Sequence, residues 1–169
     1  KDMPLNLIKN KNIQYLNGEY YLTKNLIIEK NYYFSKNQKL NVNEGVEIFF
    51  KEDATLFSEG AISFNGSTEK PIVIYSNNKS GSFVLSSNNY NFKNVIFQNL
   101  SFPKSISKIL YGGVNIINSN LKMLNVEIKN SNSEDAINII SSKSDIKNLI
   151  IKNSAADAID VDFGELVFE

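Results

Sequence analysis

Three observations predict an all-β solenoid, a single-stranded parallel β-helix made of stacked coils. First, similar segments recur in one phase: NVIFQNL from Asn94, NVEIKNS from Asn125 and NLIIKNS from Asn148. Second, the later half repeats every 22–23 residues, as from Asn115 to Asn138, which is a period typical of solenoids. Third, apolar and polar residues alternate within each period, as they do in strands with one buried face.

The alternation assigns an inner and an outer side to each short strand. In the last full repeat, Ile159, Val161 and Phe163 are predicted to face inwards, with Asp160 and Asp162 outwards. Such short strands can pair only with the same strand one coil later, in parallel, at about 4.8 Å. One coil cannot bury its own inner side, so the stacking of coils must create the core.

The earlier half shows the same pattern with a looser period, in strands such as 39–50 and 71–76 separated by turn residues. We expect residues 1–37 to form an N-terminal cap and a first irregular coil. Residues 38–169 then form the β-helix of the same single domain. The segment 100–111, LSFPKSISKILY, interrupts the phase. It is either a surface excursion between coils or a loop that walls one side of a groove.

Two stretches carry a family resemblance. LNVNEGVEIFFKEDATLFSEGAISFNGSTEKPIVIYS, residues 40–76, resembles the opening segment of right-handed parallel β-helix repeat proteins of the pectate-lyase-like superfamily. GGVNIINSNLKMLNVEIKNSNSEDAINIISS, residues 112–142, is similar to β-helix regions beside CotH-type kinase domains and in carbohydrate-associated surface proteins. The resemblance covers about residues 38–169 and implies a right-handed coil. It implies no single activity, because this fold hosts lyases, hydrolases, epimerases, adhesins and passive spacers.

Composition excludes several classes of function. Basic and acidic residues balance at 18 each, and every basic residue is a lysine. A neutral chain without arginine is a poor binder of nucleic acid, so no nucleic-acid partner is expected. The absence of histidine and cysteine removes the usual zinc ligands, thiolate chemistry and disulfides. No apolar run reaches the roughly 18 residues that a membrane span needs.

The repeat becomes acidic near its last coil, where DAINII is followed by DAIDVD. We expect Asp160 and Asp162 on one outward side, with Asp157 at the turn below Asp135. The same register predicts an outward column of three side chains: Asn115, Asn138 and Asp160. One interpretation is structural, because Asp and Asn bond the backbone of turns and stacked Asn side chains satisfy each other.

Two functional interpretations compete with this one. Carboxylate and amide oxygens suit Ca²⁺, which predicts a calcium site. Its candidate ligands are Asp135, Asp157, Asp160 and Asp162. The outward column Asn115, Asn138 and Asp160 is the candidate surface for another ligand. Alternatively, Asp160 and Asp162 are a catalytic pair at the separation of inverting glycosidases, or act with Lys152 as the base of a lyase. The histidine and arginine motifs of polygalacturonase-like proteins are absent.

Aromatic residues near the N-terminus also allow two interpretations. Tyr20 and Tyr21, with Tyr32 and Tyr33, either present a platform for sugar rings or plug the end of the solenoid core. The sequence therefore predicts a secreted or cell-surface module that binds glycan, or spaces and assembles other domains, without chemistry of its own. The alternative is a carbohydrate-active enzyme, a polysaccharide lyase or hydrolase that uses Asp160 and Asp162.

The final residues, GELVFE, continue the alternation, with Leu166 and Phe168 predicted to face inwards. An uncovered coil exposes apolar side chains and unpaired strand edges. We therefore expect further coils, or another chain, to cover this end.

Overall fold

The computed structural model describes residues 3–104 and 110–169 of the 169-residue chain. It confirms the predicted fold class: the protein is an all-β solenoid of about seven turns with almost no helix. Neighbouring coils pair in parallel, strand on strand, as the short alternating segments require. Each coil has three faces, and each face is a sheet of strands contributed by successive coils.

Face 1 is a seven-stranded sheet in which each strand belongs to a different coil. In spatial order its strands are β1 (Leu5–Asn6), β5 (Tyr32–Phe34), β8 (Thr55–Ser58), β11 (Ser82–Ser86), β13 (Gly112–Ile117), β15 (Asp135–Ile140) and β17 (Asp157–Asp162). A short 3-10 turn, Leu7–Lys9, follows β1.

Faces 2 and 3 form one eleven-stranded sheet that bends around a corner. Face 2 contains β2 (Ile13–Leu16), β3 (Glu19–Leu22), β6 (Lys39–Asn43), β9 (Ala61–Asn65) and β18 (Glu165–Phe168). Face 3 contains β4 (Leu26–Ile28), β7 (Glu47–Phe50) and β10 (Ile72–Ser76). Three ten-residue strands run through both faces: β12 (Asn89–Gln98), β14 (Asn120–Lys129) and β16 (Lys143–Lys152).

The corners of the later coils are single residues with positive φ, which bend the chain from one face to the next without a long loop. Asparagine tolerates this conformation best among residues with a side chain, because its amide bonds locally. The corner between faces 2 and 3 is formed by Asn94, Asn125 and Asn148, at φ of 49°, 54° and 55°. The corner between faces 3 and 1 is formed by Asn99, Asn130 and Asn153. Each recurrent segment of the sequence therefore begins on one corner asparagine and ends one residue after the next.

The inner sides of the three faces meet in one apolar core that runs the length of the solenoid. Phe83 lies at its centre, with edge-on ring contacts at 5.2 Å to Phe50 and 6.1 Å to both Phe64 and Phe97. Edge-to-face aromatic pairs of this kind add to the stabilisation from area burial. The predicted inner column of face 1 forms, because the register aligns Val114 with Ile137, and Ile137 with Ile159, in consecutive coils.

One inward assignment is wrong. Ile159 and Val161 pack against the core as predicted, but Phe163 is 94% exposed. The strand β17 ends at Asp162, and Phe163 then takes the corner conformation with φ of 55°. A corner residue directs its side chain away from the core, so the alternation stops one residue earlier than the sequence pattern indicates.

The N-terminal end of the solenoid carries an antiparallel hairpin. Strands β2 and β3 pair through a turn at Asn17 and Gly18, both with positive φ, as a two-residue hairpin requires. Tyr20 contacts Phe34 edge-on at 6.1 Å, and Phe34 is fully buried. Tyr20 therefore packs onto the core through Phe34, and the role of residues 1–37 as a cap stays a prediction. Parallel pairing already begins in this region, where β1 pairs with β5.

The excursion at 100–111 lies against the solenoid where it is described. Leu100, Ser101 and Leu110 are buried, and the Ser101 amide donates to the Gly81 carbonyl at 3.0 Å. Residues 105–109 of the predicted loop lie outside the described residues. The excursion lengthens its coil: corner asparagines are 31 residues apart across it and 23 apart in the next coil.

At the other end, β18 pairs in parallel with β16, placing Leu166 beside Ser144 and Phe168 beside Ile146. Both side chains continue inner columns, and they are 38% and 52% exposed because no described strand follows them. The expected covering coil or chain stays a prediction. Within the described ranges, no helix has the length and apolar character needed to cross a membrane.

Candidate functional site

The predicted polar column forms on the outer side of face 1. Register aligns Asn115 with Asn138, and Asn138 with Asp160, in consecutive coils. The first two side chains are nevertheless buried, at 0% and 2% exposure, whereas Asp160 is half-buried. The sequence pattern indicated outward positions, and it did not indicate that they would be covered.

Gly112, the first residue of β13, explains part of this burial. A Cβ placed on Gly112 would lie 2.9 Å from Asn115 Oδ1 and 2.9 Å from the Cβ of Asn138. The backbone of Gly112 therefore sits directly against both asparagine side chains, at a distance that no other residue type allows.

In the first coil of the column, the amide of Asn115 is fully engaged by backbone groups. Its Oδ1 accepts from the Gly112 amide at 3.0 Å, and its Nδ2 donates to the Gly112 carbonyl at 2.7 Å. Nδ2 also donates to the Phe83 carbonyl of the preceding coil at 3.1 Å. These bonds close the turn that begins β13 and tie it to the coil before.

The next coil replaces glycine by Asp135 at the equivalent position, and the bonding changes. Asn138 Nδ2 now donates to the carboxylate oxygen Oδ2 of Asp135 at 3.1 Å. The Asp135 amide is used elsewhere, because it donates to the Tyr111 carbonyl at 3.2 Å. Asn138 Oδ1 is consequently left buried without a hydrogen-bond partner.

The last coil carries carboxylates at both positions. Asp160 follows Asn138 in the column, and Asp157 pairs with Asp135. Asp157 is exposed, and its amide donates to the Glu134 carbonyl at 2.7 Å. Within two coils, the fully hydrogen-bonded amide of Asn115 is thus followed by a group of carboxylates.

The electrostatics of Asp135 reflect this change. Burial is the largest cause, and it raises the pKa of Asp135 above its ordinary value, while the hydrogen bond from Asn138 opposes that shift. The negative charges of Asp160, Glu134 and Asp157 raise the pKa further. Each charged side chain that acts on this carboxyl is itself an acid, so the site has an excess of negative charge.

The predicted catalytic candidates are not brought together as a set. Asp162 is exposed and lies beside Ile140 in a different column from Asp160. Lys152 lies at the end of β16 on face 3, where its ammonium pairs with Glu127 at 3.1 Å. The assignment of Asp160 and Asp162 to a catalytic pair, and of Lys152 to the base of a lyase, stays a prediction.

The four carboxylates of the predicted calcium site also do not form one cluster. Among the residues that the structure describes, no group of three or more acidic side chains converges closely enough to hold a metal ion. The charge of Asp160 acts on Asp135, whereas Asp162 lies in a different register column.

The outer side of face 3 presents a second candidate surface, which the sequence reading missed. Phe49 and Tyr75 are register partners from adjacent coils, with ring centroids 5.2 Å apart and a 37° angle between the rings. Ile27 precedes them in the same column and is 49% exposed. Strand alternation places each of them outwards, so the signal was present, but the pairing needed the register.

A groove of about 280 Å³ follows the corner between faces 2 and 3 in the later coils, and Phe49 and Tyr75 do not line it. Its polar side is the corner asparagine ladder, in which Asn125 Nδ2 donates to Asn94 Oδ1 at 3.1 Å and Asn148 Nδ2 to Asn125 Oδ1 at 2.9 Å. Its apolar surface includes Ile96 and Ile150. The groove therefore combines amides at regular spacing with aliphatic side chains.

Comparison of the chain with protein-family models, with curated proteins and with solved structures finds no significant match. The β-solenoid fold is established by the strand register described above, and the resemblance to pectate-lyase-like and CotH-associated β-helices rests on the sequence motifs.

Proposed function

We propose that this β-solenoid is a glycan-binding module of a secreted or cell-surface protein and carries no chemistry of its own. The observation that supports the proposal is the outer surface of face 3, where the Phe49–Tyr75 pair lies in the face bordered by the asparagine-lined groove. This surface combines the two features that sugar recognition needs.

The first feature is an apolar platform. Sugar rings present C–H groups on their faces, which pack against aromatic and aliphatic side chains. Phe49 and Tyr75 are half-buried, and their column is extended by Ile27. Tyrosine suits such a contact because its ring is apolar and its hydroxyl still bonds to water or ligand.

The second feature is a row of amides. Each amide of the corner ladder can donate and accept, which matches hydroxyl groups that do both. Successive members stand one coil apart, about 4.8 Å along the solenoid axis. An extended polymer lying along the groove would therefore meet the same polar group at each coil.

The charges near the groove favour a neutral glycan over an acidic one. Glu127 lines the groove and pairs with Lys152 at 3.1 Å. Arginine, which grips carboxylates with two parallel bonds, does not occur in the chain. The cations that a uronic-acid polymer would meet on this face are lysines, such as Lys129 and Lys152 in one outer column.

Binding to a panel of immobilised neutral and acidic polysaccharides tests the proposal. We expect retention by at least one neutral glycan, and a loss of about tenfold or more in affinity for Tyr75→Ala, since interface aromatics are frequent hot spots. Tyr111→Ala is the matched control, because Tyr111 is 45% exposed and lies outside the groove and its face. Equal loss in both variants, or no retention by any glycan, would contradict the proposal.

The alternative is a polysaccharide lyase or hydrolase that uses Asp160 and Asp162, which stand two residues apart on one side of β17. Its direct test is the release of reducing ends or of ultraviolet-absorbing unsaturated products from uronic-acid polymers. Activity that is abolished by Asp160→Asn would favour the enzyme over the binding module.

A further inference from the structure

We propose that Asp135, Asn138 and Asp160 bind one divalent cation of calcium chemistry, which links the coil of β15 to the coil of β17. The inference does not depend on glycan binding. It rests on a count of donors and acceptors at three side chains that the register places together.

The count shows an excess of acceptors. Asn138 Nδ2 is the one side-chain donor in the trio, and it is already used by Asp135 Oδ2. The remaining groups are oxygens: both carboxylates and the amide Oδ1 of Asn138. Ionised carboxylates only accept, so these oxygens cannot satisfy one another.

The decisive oxygen is Asn138 Oδ1. The side chain is 2% exposed, and this atom has no hydrogen-bond partner. A buried polar atom without a partner costs about 1–3 kcal/mol, which native proteins rarely tolerate. The opposite amide orientation would aim Oδ1 at the Asp135 carboxylate, acceptor against acceptor. The hydrogen bond to Asp135 therefore determines which atom is left without a partner.

The register places the amide of Asn138 among the acidic residues. Asn138 is bonded to Asp135 on one side, and Asp160 is its neighbour in the next coil of the same column. Asp135 is 4% exposed, whereas Asp160 is half-buried and Asp157 is exposed. The site is thus closed on the Asp135 side and open to solvent on the side of the last coil.

Other ways to satisfy the site are missing nearby. In the preceding coil the same position is closed by backbone, since Asn115 Oδ1 accepts from the Gly112 amide at 3.0 Å. The equivalent Asp135 amide is taken by the Tyr111 carbonyl. The charged groups that act on Asp135 are the carboxylates of Asp160, Glu134 and Asp157, so no described cation of the protein neutralises it.

The donor set selects the type of ion. All available ligands are oxygens, from two carboxylates and one amide, and the chain has neither histidine nor cysteine to favour zinc. Ca²⁺ accepts six to eight oxygens in flexible geometry, so water can complete the shell on the open side. Mg²⁺ demands a stricter octahedron, and we expect it to bind more weakly.

The experiment measures calcium binding and thermal unfolding of the full chain after removal of metal with a chelator. We expect titration calorimetry to give one Ca²⁺ per chain. At a hundredfold excess over Kd, the melting temperature should rise by about 5–10 °C, because the ion binds the folded state alone. Mg²⁺ should give a smaller rise at the same concentration.

Asp160→Asn separates this proposal from a general effect of negative charge. The new amide can donate to Asn138 Oδ1, as the corner asparagines donate to one another. We expect this variant to lose calcium binding and to melt higher than the wild type in chelator. Asp145→Asn is the matched control, because Asp145 is an exposed strand residue of face 2 between Lys122 and Val167. It should keep the full calcium response.

Two results would overturn the proposal. One is identical melting of the wild type in chelator and in millimolar Ca²⁺, with no heat of binding. That result, combined with stability that increases as the pH falls, would assign a shared proton to the site instead of an ion. The other is calcium binding that survives in Asp160→Asn at unchanged affinity.

Discussion

Two of the asparagine columns along this solenoid, the corner ladder and the face 1 column, satisfy their amides in different ways. In the corner ladder, Asn94, Asn125 and Asn148 bond side chain to side chain, each to the residue one coil before. The ladder begins where Asn94 Nδ2 donates to the Gly66 carbonyl at 2.9 Å. In the face 1 column, the side chain of Asn115 forms hydrogen bonds with backbone groups, and Asn138 Oδ1 in the next coil has no hydrogen-bond partner.

The difference follows from what each group can do. An amide carries a donor and an acceptor, so identical amides can continue a ladder through any number of coils. An ionised carboxylate carries acceptors only. The presence of aspartate rather than asparagine at position 160 therefore gives Asn138 Oδ1, one coil before, no donor from this column. Burial then determines the cost, because Asn125 and Asn148 are exposed to water whereas Asn115 and Asn138 are not.

The largest expected effect is at Asn115, the satisfied end of the buried column. Asn115→Ala would leave the Gly112 amide and the Gly112 and Phe83 carbonyls without this partner. We expect a loss of about 3 kcal/mol in the free energy of unfolding, measured by urea denaturation. Asn91→Ala, on the outer side of face 2, should change it by less than about 0.5 kcal/mol. Equal effects in the two variants would show that the buried hydrogen bonds of Asn115 add no more stability than a less buried side chain does.

The corner ladder can be separated into its two contributions at Asn125. Asn125→Gly removes the ladder bonds but keeps the φ of 54° free of strain, and we expect a loss of about 0.5–1 kcal/mol. Asn125→Ala removes the same bonds and adds the strain of positive φ, for a total of about 1–2 kcal/mol. Chemical denaturation of the pair gives the difference. If alanine were as stable as glycine, the corner conformation would not be what selects asparagine.

Replacement of Phe163 by asparagine should increase the stability of the protein. It occupies the corner position taken by Asn118 and Ser141 in the preceding coils, with φ of 55°, and its ring is 94% exposed. Phe163→Asn relieves the strain of a bulky residue in this conformation at no cost in burial. We expect an increase of about 0.5–1 kcal/mol in the free energy of unfolding. Phe102→Asn, at another exposed phenylalanine, serves as the control and should give no gain. A loss of stability in Phe163→Asn would show that the ring makes a contact that matters.

The smallest effect is a pH dependence that originates at Asp135, measured in chelator. Burial and the charges of Asp160, Glu134 and Asp157 raise its pKa in the folded state. The folded protein then holds this proton more tightly than the unfolded chain. The contribution to stability is therefore complete below the ordinary pKa of aspartate and is lost as the pH rises through the raised value.

The measurement is the melting temperature across the acid range for the wild type and Asp135→Asn. We expect the wild type to lose more stability than the variant as the pH rises through this region. Exposed glutamates act in the opposite direction, because the hydrogen bonds from Lys39 to Glu19 and from Lys51 to Glu29 lower their pKa values. The difference between the two proteins removes this shared background. Parallel curves would contradict the raised pKa.

Much of the fold could be predicted, because a solenoid repeats short local rules. The alternation placed Ile137 and Ile139 inside, and both are fully buried. The recurrent asparagines set the phase of the coils, and they proved to be the corners. The predicted column of Asn115, Asn138 and Asp160 also formed, since parallel pairing of equal repeats aligns equal positions.

The site could be predicted only in part. The sequence indicated which polar residues share a column, but the Tyr111 carbonyl that takes the Asp135 amide could not be foreseen. The contact between Phe49 and Tyr75 likewise depends on coils whose lengths vary, so it required the register. Lys152 is near the acidic residues in sequence, and its ion pair with Glu127 on face 3 could not be foreseen.

The sequence by itself determined the coil: which residues face the core, where the chain bends, and which side chains stack. These properties are local, because strand alternation and corner conformation depend on a few neighbouring residues. The tertiary structure alone decided which stacked polar groups are buried and which lack a partner. Burial depends on segments distant in sequence, as when Gly112 packs against Asn138, and one close approach of backbone turns an exposed amide into a buried acceptor.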